Sequence, residues 1–237
     1  PYIDAIDLAR VNIDEQLATV STKTNFISNV NCEILPFDDN SYDLVISQFG
    51  IEYSSLKKSV AEVARVLKAG GKAQFICHHH DSIIVQPNLA ILHASIELGS
   101  KNGGLNVLES LIKDIFKYGK GSDRAEKSRN KLNKYMEKQI NKNEAAFMAT
   151  NFHLLVRTCL QSLANPKNID LVLKQFKQEL NGSILRLTDL ANAAIKEQGV
   201  ALLERIISAL NLSLKSFEPI IDENSHILAW NISLSKN

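Results

Sequence analysis

The sequence has few cysteines and no long apolar run, and each shortage excludes a class of protein. Its 237 residues include three cysteines that lie far apart, Cys32, Cys77 and Cys159. An odd number without short spacings predicts neither a disulfide framework nor a zinc site, and it indicates a reducing compartment. No apolar run approaches the roughly 20 residues of a membrane span, and no basic-then-apolar signal opens the chain. A cytoplasmic location is therefore predicted.

The sequence also has no glycine-rich motif and almost no net charge. None of the ten glycines forms a G-x-G-x-x-G cluster, since Gly70-Gly71 and Gly103-Gly104 are simple pairs. The net charge of +1 gives no global case for binding nucleic acid. Hydrophobic residues make up 45% of the chain, which is ample for a packed core. The length allows one large α/β domain or a domain with an elaboration.

The segment from residue 42 to residue 77 predicts a strand, a helix and a second strand. The short apolar run Leu44–Ile46 follows a turn-rich loop, as in a strand buried on both faces. An apolar stripe then recurs at helical spacing from Leu56 to Leu67, and Gly70-Gly71 is expected to end that helix in a left-handed C-cap. Residues 72–77 form the next strand. Such a unit predicts a right-handed crossover in a parallel sheet.

Other elements are predicted on both sides of this unit. Residues 2–9 form a strand whose last polar residue is Asp7, residues 11–20 a helix, and residues 25–30 another strand. From residue 83 to about residue 210, helical periodicity dominates, with expected breaks at Asn165-Pro166 and Asn181-Gly182. Residues 216–221 and 227–234 then alternate as the two strands of a closing hairpin.

Two stretches of this sequence resemble class I S-adenosylmethionine-dependent methyltransferases. They are residues 35–43, Leu-Pro-Phe-Asp-Asp-Asn-Ser-Tyr-Asp, and residues 61–71, where the family usually has Pro in place of Ala69. The likeness spans residues 2–80 and returns in the closing hairpin. It implies an α/β fold with a Rossmann-like class I methyltransferase sheet, a closing antiparallel hairpin and a large helical insertion.

The resemblance also implies a domain division. Residues 1–82 and 200–237 would form the Rossmann-like core, and residues 83–199 would form a helical cap. The family's first strand and Gly-rich turn have no counterpart in this sequence. We therefore expect an N-terminally incomplete chain that lacks at least ~30 residues, about one strand–loop–helix unit.

The implied cofactor is S-adenosyl-L-methionine, and the resemblance assigns its contacts residue by residue. Asp7 and Leu8 match the segment that holds the ribose, Asn31 and Cys32 match the adenine segment, and Gln48 and Phe49 match the region near the sulfonium. Without the resemblance, Asp7 could equally be a helix N-cap, and Phe49 or Cys32 a packed core side chain. The family often has Asp at the Asn31 position, but an Asn oxygen can also accept a hydrogen bond.

Candidates for catalysis lie at the ends of the same strands. The resemblance implies a position for Tyr53 at the substrate mouth. His79 or His80 is a candidate general base in the substrate cleft. Adjacent strand residues point to opposite faces, so the consecutive histidines at 78–80 cannot all bind one metal, and no metal site is predicted. A polar loop is the alternative for these histidines. The predicted function is methyl transfer to a small-molecule acceptor.

Basic residues concentrate between Lys117 and Lys142. A helix with this many basic residues can bind the phosphates of a nucleic acid, and Tyr118 or Tyr135 could stack on bases. Most charge runs, however, are solvated helix faces. The sequence lacks the Asn-Pro-Pro-Tyr-like tetrad and the Pro-Cys pair of base methylation, which weighs against nucleic acid. Two alternatives remain open: an RNA-directed methyltransferase that uses this helix, and a non-catalytic methyltransferase-like interaction protein.

Overall fold

The computed structural model describes residues 2–10 and 24–237, so the helix predicted over residues 11–20 lies outside the described residues. These described residues form six strands: β1 Ile3–Asp7, β2 Thr24–Ser28, β3 Tyr42–Gln48, β4 Leu67–Cys77, β5 Leu212–Ile221 and β6 Ile227–Lys236. The helices are α1 Leu56–Val66, α2 Val85–Gly99, α3 Gly104–Tyr118, α4 Asp123–Ala149, α5 Phe152–Gln161, α6 Pro166–Ala193 and α7 Glu197–Ser208. None of these helices is both long enough and apolar enough to cross a membrane. The cytoplasmic location stays a prediction.

The strands form two sheets. Strands β1 and β2 pair in parallel, and a second sheet has the order β3-β4-β6-β5. Within the second sheet β3 and β4 are parallel and joined through α1, whereas β6 runs antiparallel to both β4 and β5. Five successive helices separate β4 from the last helix and hairpin. These features confirm the predicted Rossmann-like α/β class with a closing antiparallel hairpin and a helical insertion.

The chain divides into two compact units with separate cores. One unit contains Pro1–Ser82 and Asn192–Asn237, and the other contains Ile83–Ala191. In the first unit, α1 and α7 pack on β4 and β6 around Phe75 and Ile232. In the second, the helices pack on one another around Leu108 and Phe152. The assignment of these parts as cofactor-binding core and helical cap stays a prediction.

The predicted end of α1 at Gly70-Gly71 is wrong. Helix α1 ends at Val66, and both glycines belong to β4. Leu67 pairs with Tyr42 but Lys72 already pairs with Leu44, so the extra residues of β4 bulge out, and Gly70 takes a φ of +76°. A glycine adopts this conformation without steric cost. The expected break at Asn181-Gly182 is also absent, because α6 continues through it.

Strand β3 is more open than its apolar sequence predicts. Leu44 is 56% exposed and Ile46 is 71% exposed, so this strand is not buried on both faces. Strand β3 pairs only with β4, and β1 only with β2, among the strands of the described residues. Each sheet therefore ends in an edge at one of these strands.

The Arg65 guanidinium of α1 joins two stretches that lie apart in the sequence. It donates hydrogen bonds to both Glu62 carboxylate oxygens, to Asp39 Oδ1, and to the carbonyl oxygens of Phe37 and Leu35. Glu62 in turn accepts from the Leu35 N–H at 2.7 Å. The hydrogen bond from Arg65 is the main cause of a lowered Glu62 pKa. The loop between β2 and β3 is thereby fixed to α1.

We expect Arg65→Lys to lower the free energy of unfolding by about 2–3 kcal/mol, because an ammonium cannot reproduce the planar five-donor fork. Urea denaturation measures this change. The matched control is Arg205→Lys, at an exposed position of α7, where we expect a change within about 0.5 kcal/mol. Equal stability of the two variants would contradict the role given to the fork.

Candidate functional site

The carboxyl ends of β1 and β2 meet at one edge of their parallel sheet. Asp7 is the last residue of β1, and the Val30 N–H donates a hydrogen bond to the Asp7 carbonyl oxygen at 2.9 Å. Asn29 has a φ of +59°, which turns the chain as it leaves β2. The turn brings Asn31 and Cys32 to the exit of β1, so the predicted ribose and adenine segments are neighbours.

The polar side chains of these two segments differ in how many hydrogen bonds they already make within the protein. Asp7 is exposed, and its Oδ1 accepts from the Ala9 N–H at 2.7 Å, while its other oxygen accepts no hydrogen bond from the described residues. Asn31 Oδ1 accepts from the Glu33 N–H at 2.9 Å. The Cys32 thiol lies 3.5 Å from the Ser59 hydroxyl. Asp7 thus retains acceptor capacity, whereas one lone pair of Asn31 Oδ1 already serves the local turn.

A second group of side chains lies where β3 and β4 end. Gln48 is exposed and pairs with Ile76 of β4, and the following N–H, that of Phe49, donates to the Ile76 carbonyl oxygen at 2.8 Å. Phe49 has a φ of +53°, which is uncommon for a bulky residue. Its ring centroid is 4.5 Å from that of His78, and the Tyr53 ring meets the same imidazole edge-on at 5.8 Å. His78 therefore lies between two aromatic rings.

Glu52 places a buried carboxylate against His78. Its Oε1 accepts from the His78 backbone N–H at 3.0 Å and is 2.9 Å from the His78 Nδ1. The Glu52 side chain has no exposed surface, and its Oε2 accepts no hydrogen bond from the described residues. Burial raises the pKa of the neighbouring Cys77 thiol, and the Glu52 carboxylate raises it further. Cys77 is therefore not suited to act as a nucleophile.

Sequence reasoning did not select Glu52 or His78. His78 follows directly on β4, and Glu52 lies in the short 3-10 helix Ile51–Tyr53 that follows β3, at the edge where ligands gather in open α/β sheets. Glu52 also stands between Ile51 and Tyr53, and an acid in such an apolar setting is a signal of a specific partner. Their pairing itself is a tertiary contact that no sequence spacing encodes.

The two histidines predicted as candidate bases occupy different settings. His79 is 2% exposed, its ring stacks on Trp230 at 4.2 Å, and its Nδ1 accepts from the Asp81 N–H. Burial is the main cause that lowers the His79 pKa. His80 is partly exposed, and its Nδ1 lies 2.8 Å from Asp81 Oδ1. No cluster of metal-ligating side chains is found in residues 2–10 and 24–237.

The predicted site residues thus form two groups. Among the described residues, no hydrogen bond or ring contact joins Asp7 or Asn31 to Gln48 or Phe49. The two sheets nevertheless share packing, because Ile6 and Val45 lie against the same small apolar cluster. The cofactor and catalytic roles of these residues stay predictions.

Parallel strands with polar side chains at their carboxyl ends are typical of a Rossmann-like domain. The family model described as a methyltransferase domain matches residues 3–75. The match covers residues 3–75 of the 237-residue chain and supports the predicted family and enzyme class for this segment. A methyltransferase domain supports methyl transfer in general.

Comparison with solved structures gives weaker likenesses. A SAM-dependent methyltransferase from Methanosarcina mazei is 13% identical with a TM-score of 0.39, over 99% of this chain and 82% of that one. The YcgJ protein from Bacillus subtilis is 15% identical with a TM-score of 0.31, over 99% and 80% of the two chains. Both scores are too low for either protein to define the fold or function of this chain. No curated protein matches the sequence.

Replacing Glu52 by Ala removes the acceptor of both His78 hydrogen bonds inside a closed site. We expect the free energy of unfolding to fall by about 2–4 kcal/mol, measured by urea denaturation. Glu204→Ala, at an exposed position of α7, is the control and is expected to change it by less than about 0.5 kcal/mol. If Glu52→Ala changed the free energy of unfolding as little as Glu204→Ala does, the Glu52 carboxylate would not be holding His78 in place.

Proposed function

We propose that this protein transfers a methyl group from S-adenosyl-L-methionine to a small-molecule acceptor. The observation that carries the proposal is the junction of the β1 and β2 exits within the segment that matches a methyltransferase domain. The exposed Asp7 carboxylate stands at this junction with acceptor capacity to spare. Its position suits the paired hydroxyls of a ribose.

The residues at these strand ends fit the cofactor. Asp7 would accept from the ribose hydroxyls, with Leu8 beside it. Asn31 and Cys32 would hold the adenine, Asn31 through the remaining lone pair of its Oδ1. At the ends of β3 and β4, Gln48 and Phe49 would flank the methionine part. When bound, S-adenosylmethionine supplies an activated methyl group, so positioning by the protein is most of the catalysis.

The general base in this proposal is His78. A carboxylate only accepts hydrogen bonds, so Glu52 fixes the proton on His78 Nδ1 and leaves Nε2 with its lone pair. Nε2 accepts no hydrogen bond from the described residues, and it can take up the proton that the acceptor group loses. His79 is less suited because its ring is buried against Trp230, and His80 is less suited because the carboxylate beside it is exposed rather than buried.

Access to His78 favours a small acceptor. Its side chain is only 12% exposed, with Phe49 on one side and Tyr53 on the other. Aromatic walls with one polar nitrogen between them are typical of small-molecule sites. A substituent on a large rigid surface would have to pass these rings, so the geometry supports a compact nucleophile.

Cofactor binding tests the first half of the proposal. We expect calorimetric titration of the protein with S-adenosylhomocysteine to give a saturable signal, and Asp7→Asn to weaken the affinity by about 10-fold or more through loss of charge-assisted hydrogen bonds. Asp189→Asn, an exposed change in α6, should leave the affinity unaltered. An absent wild-type signal would favour a non-catalytic interaction protein.

Turnover tests the role of His78. A panel of small phenols, thiols, amines and carboxylates is first screened for an acceptor that the protein methylates. With that acceptor, we expect His78→Asn to lower kcat by about 100-fold or more. Its affinity for S-adenosylhomocysteine should stay within about 2-fold, because His78 is not assigned to the cofactor. His93→Asn, at an exposed position of α2, serves as the control. Unchanged kcat in His78→Asn would exclude His78 as the base.

A further inference from the structure

A groove between α3 and α4 gathers cations within the helical unit. It encloses about 670 Å³. Six cationic side chains line it, namely Lys113, Lys117, Arg124, Lys127, Lys131 and Lys134. Asp114 is the single carboxylate among its lining residues. The protein as a whole has a net charge of only +1, so this excess of positive charge is a local property of the groove.

The spacing of the basic residues explains how they converge. Along α4 they follow one another at steps of three, four and three residues from Arg124 to Lys134, which places them on one face of the helix. Lys113 and Lys117 of α3 stand four residues apart and share a face in the same way. The buried side chains of both helices fix their rotation, since Leu111 and Leu132 pack into the helical core. The two cationic faces therefore line one groove.

The positive charge of the groove is poorly neutralised by the protein. Asp114 accepts a hydrogen bond from Ser128 and lies 3.8 Å from Arg124. None of the five lysines of the groove has an ion-pair partner among the described residues. Elsewhere in the same unit, by contrast, Lys142 pairs with Glu97. Like charges held together raise the electrostatic energy, and an anionic ligand would relieve it.

We propose that this groove binds the sugar–phosphate backbone of single-stranded nucleic acid. The basic face from Arg124 to Lys134 extends over about 15 Å of helix, which is long enough for more than one phosphate. Tyr118 lines the same groove with 48% of its surface exposed, and an exposed ring beside a cationic groove is the combination used to stack bases. The proposal stands independently of methyl transfer, since it rests on the helical unit alone.

Fluorescence anisotropy with a labelled single-stranded RNA of about twelve nucleotides tests this proposal. We expect affinity to fall steeply with salt. Replacing Lys127, Lys131 and Lys134 together by Gln should weaken binding by at least about 10-fold and reduce the slope of log K against log salt by about 2, at roughly 0.7 for each lost phosphate contact. Tyr118→Ala should weaken binding several-fold with little change in slope, because stacking releases no counterions.

The matched control removes the same charge elsewhere. Lys72, Lys167 and Lys215 are exposed and lie outside the groove, and their joint replacement by Gln should leave the affinity within about 2-fold. If this control lost as much RNA affinity as the groove variant, the binding would depend on net charge alone, and the proposal would be overturned. Tighter, lysine-dependent binding to phosphatidylserine vesicles than to RNA would also overturn it, because that result would assign the groove to a membrane surface. Undetectable RNA binding at low salt would overturn it as well.

Discussion

The planar fork of Arg65 is the constraint on which the domain around β3 and β4 depends. All five N–H groups of a guanidinium have an acceptor here, and three of these acceptors come from the loop that leaves β2. Because that loop is tied to α1, the exit of β2 and the start of β3 have fixed positions. The segment of Asn31 and Cys32 is thereby placed beside Asp7.

The same loop makes further contacts to the helix that follows β3. The Glu33 carboxylate accepts from the Ser55 N–H and pairs with Lys58. Backbone groups and charged side chains from two distant stretches thus form hydrogen bonds with one another at the start and towards the end of α1. Exposed ion pairs contribute little stability singly, but here they accompany hydrogen bonds to backbone groups that would otherwise need other partners. The carboxyl edge of the sheet is organised by polar contacts more than by apolar packing.

Periodicity and turn chemistry predicted the order of the elements well, because each depends on neighbouring residues. The strand–helix–strand unit and the closing hairpin are where the pattern predicted them. The errors arise where contacts between residues distant in the sequence determine the ends of an element. Leu67 pairs with Tyr42, so Gly70 belongs to β4. Helix α6 continues through Asn181-Gly182.

The candidate site divides in a similar way. The neighbouring positions of Asp7 and Asn31 follow from parallel strand order, which the sequence pattern predicts. The pairing of Glu52 with His78 does not, since it joins residues on two loops and depends on the burial of a carboxylate. Histidines 79 and 80 were equally attractive as sequence, and only the structure separates the His79 ring, which stacks on Trp230, from the His80 ring, which lies beside the exposed Asp81 carboxylate.

The uncovered strands β1 and β3 have a consequence for handling the protein. Ile3, Leu44 and Ile46 present apolar side chains on strands whose outer backbone groups pair with no described strand. An unpaired edge with apolar neighbours is a template for strand addition. Concentrated solutions of this chain should therefore be prone to edge-to-edge association. A peptide that pairs with the open edge as an added β-strand would suppress this association.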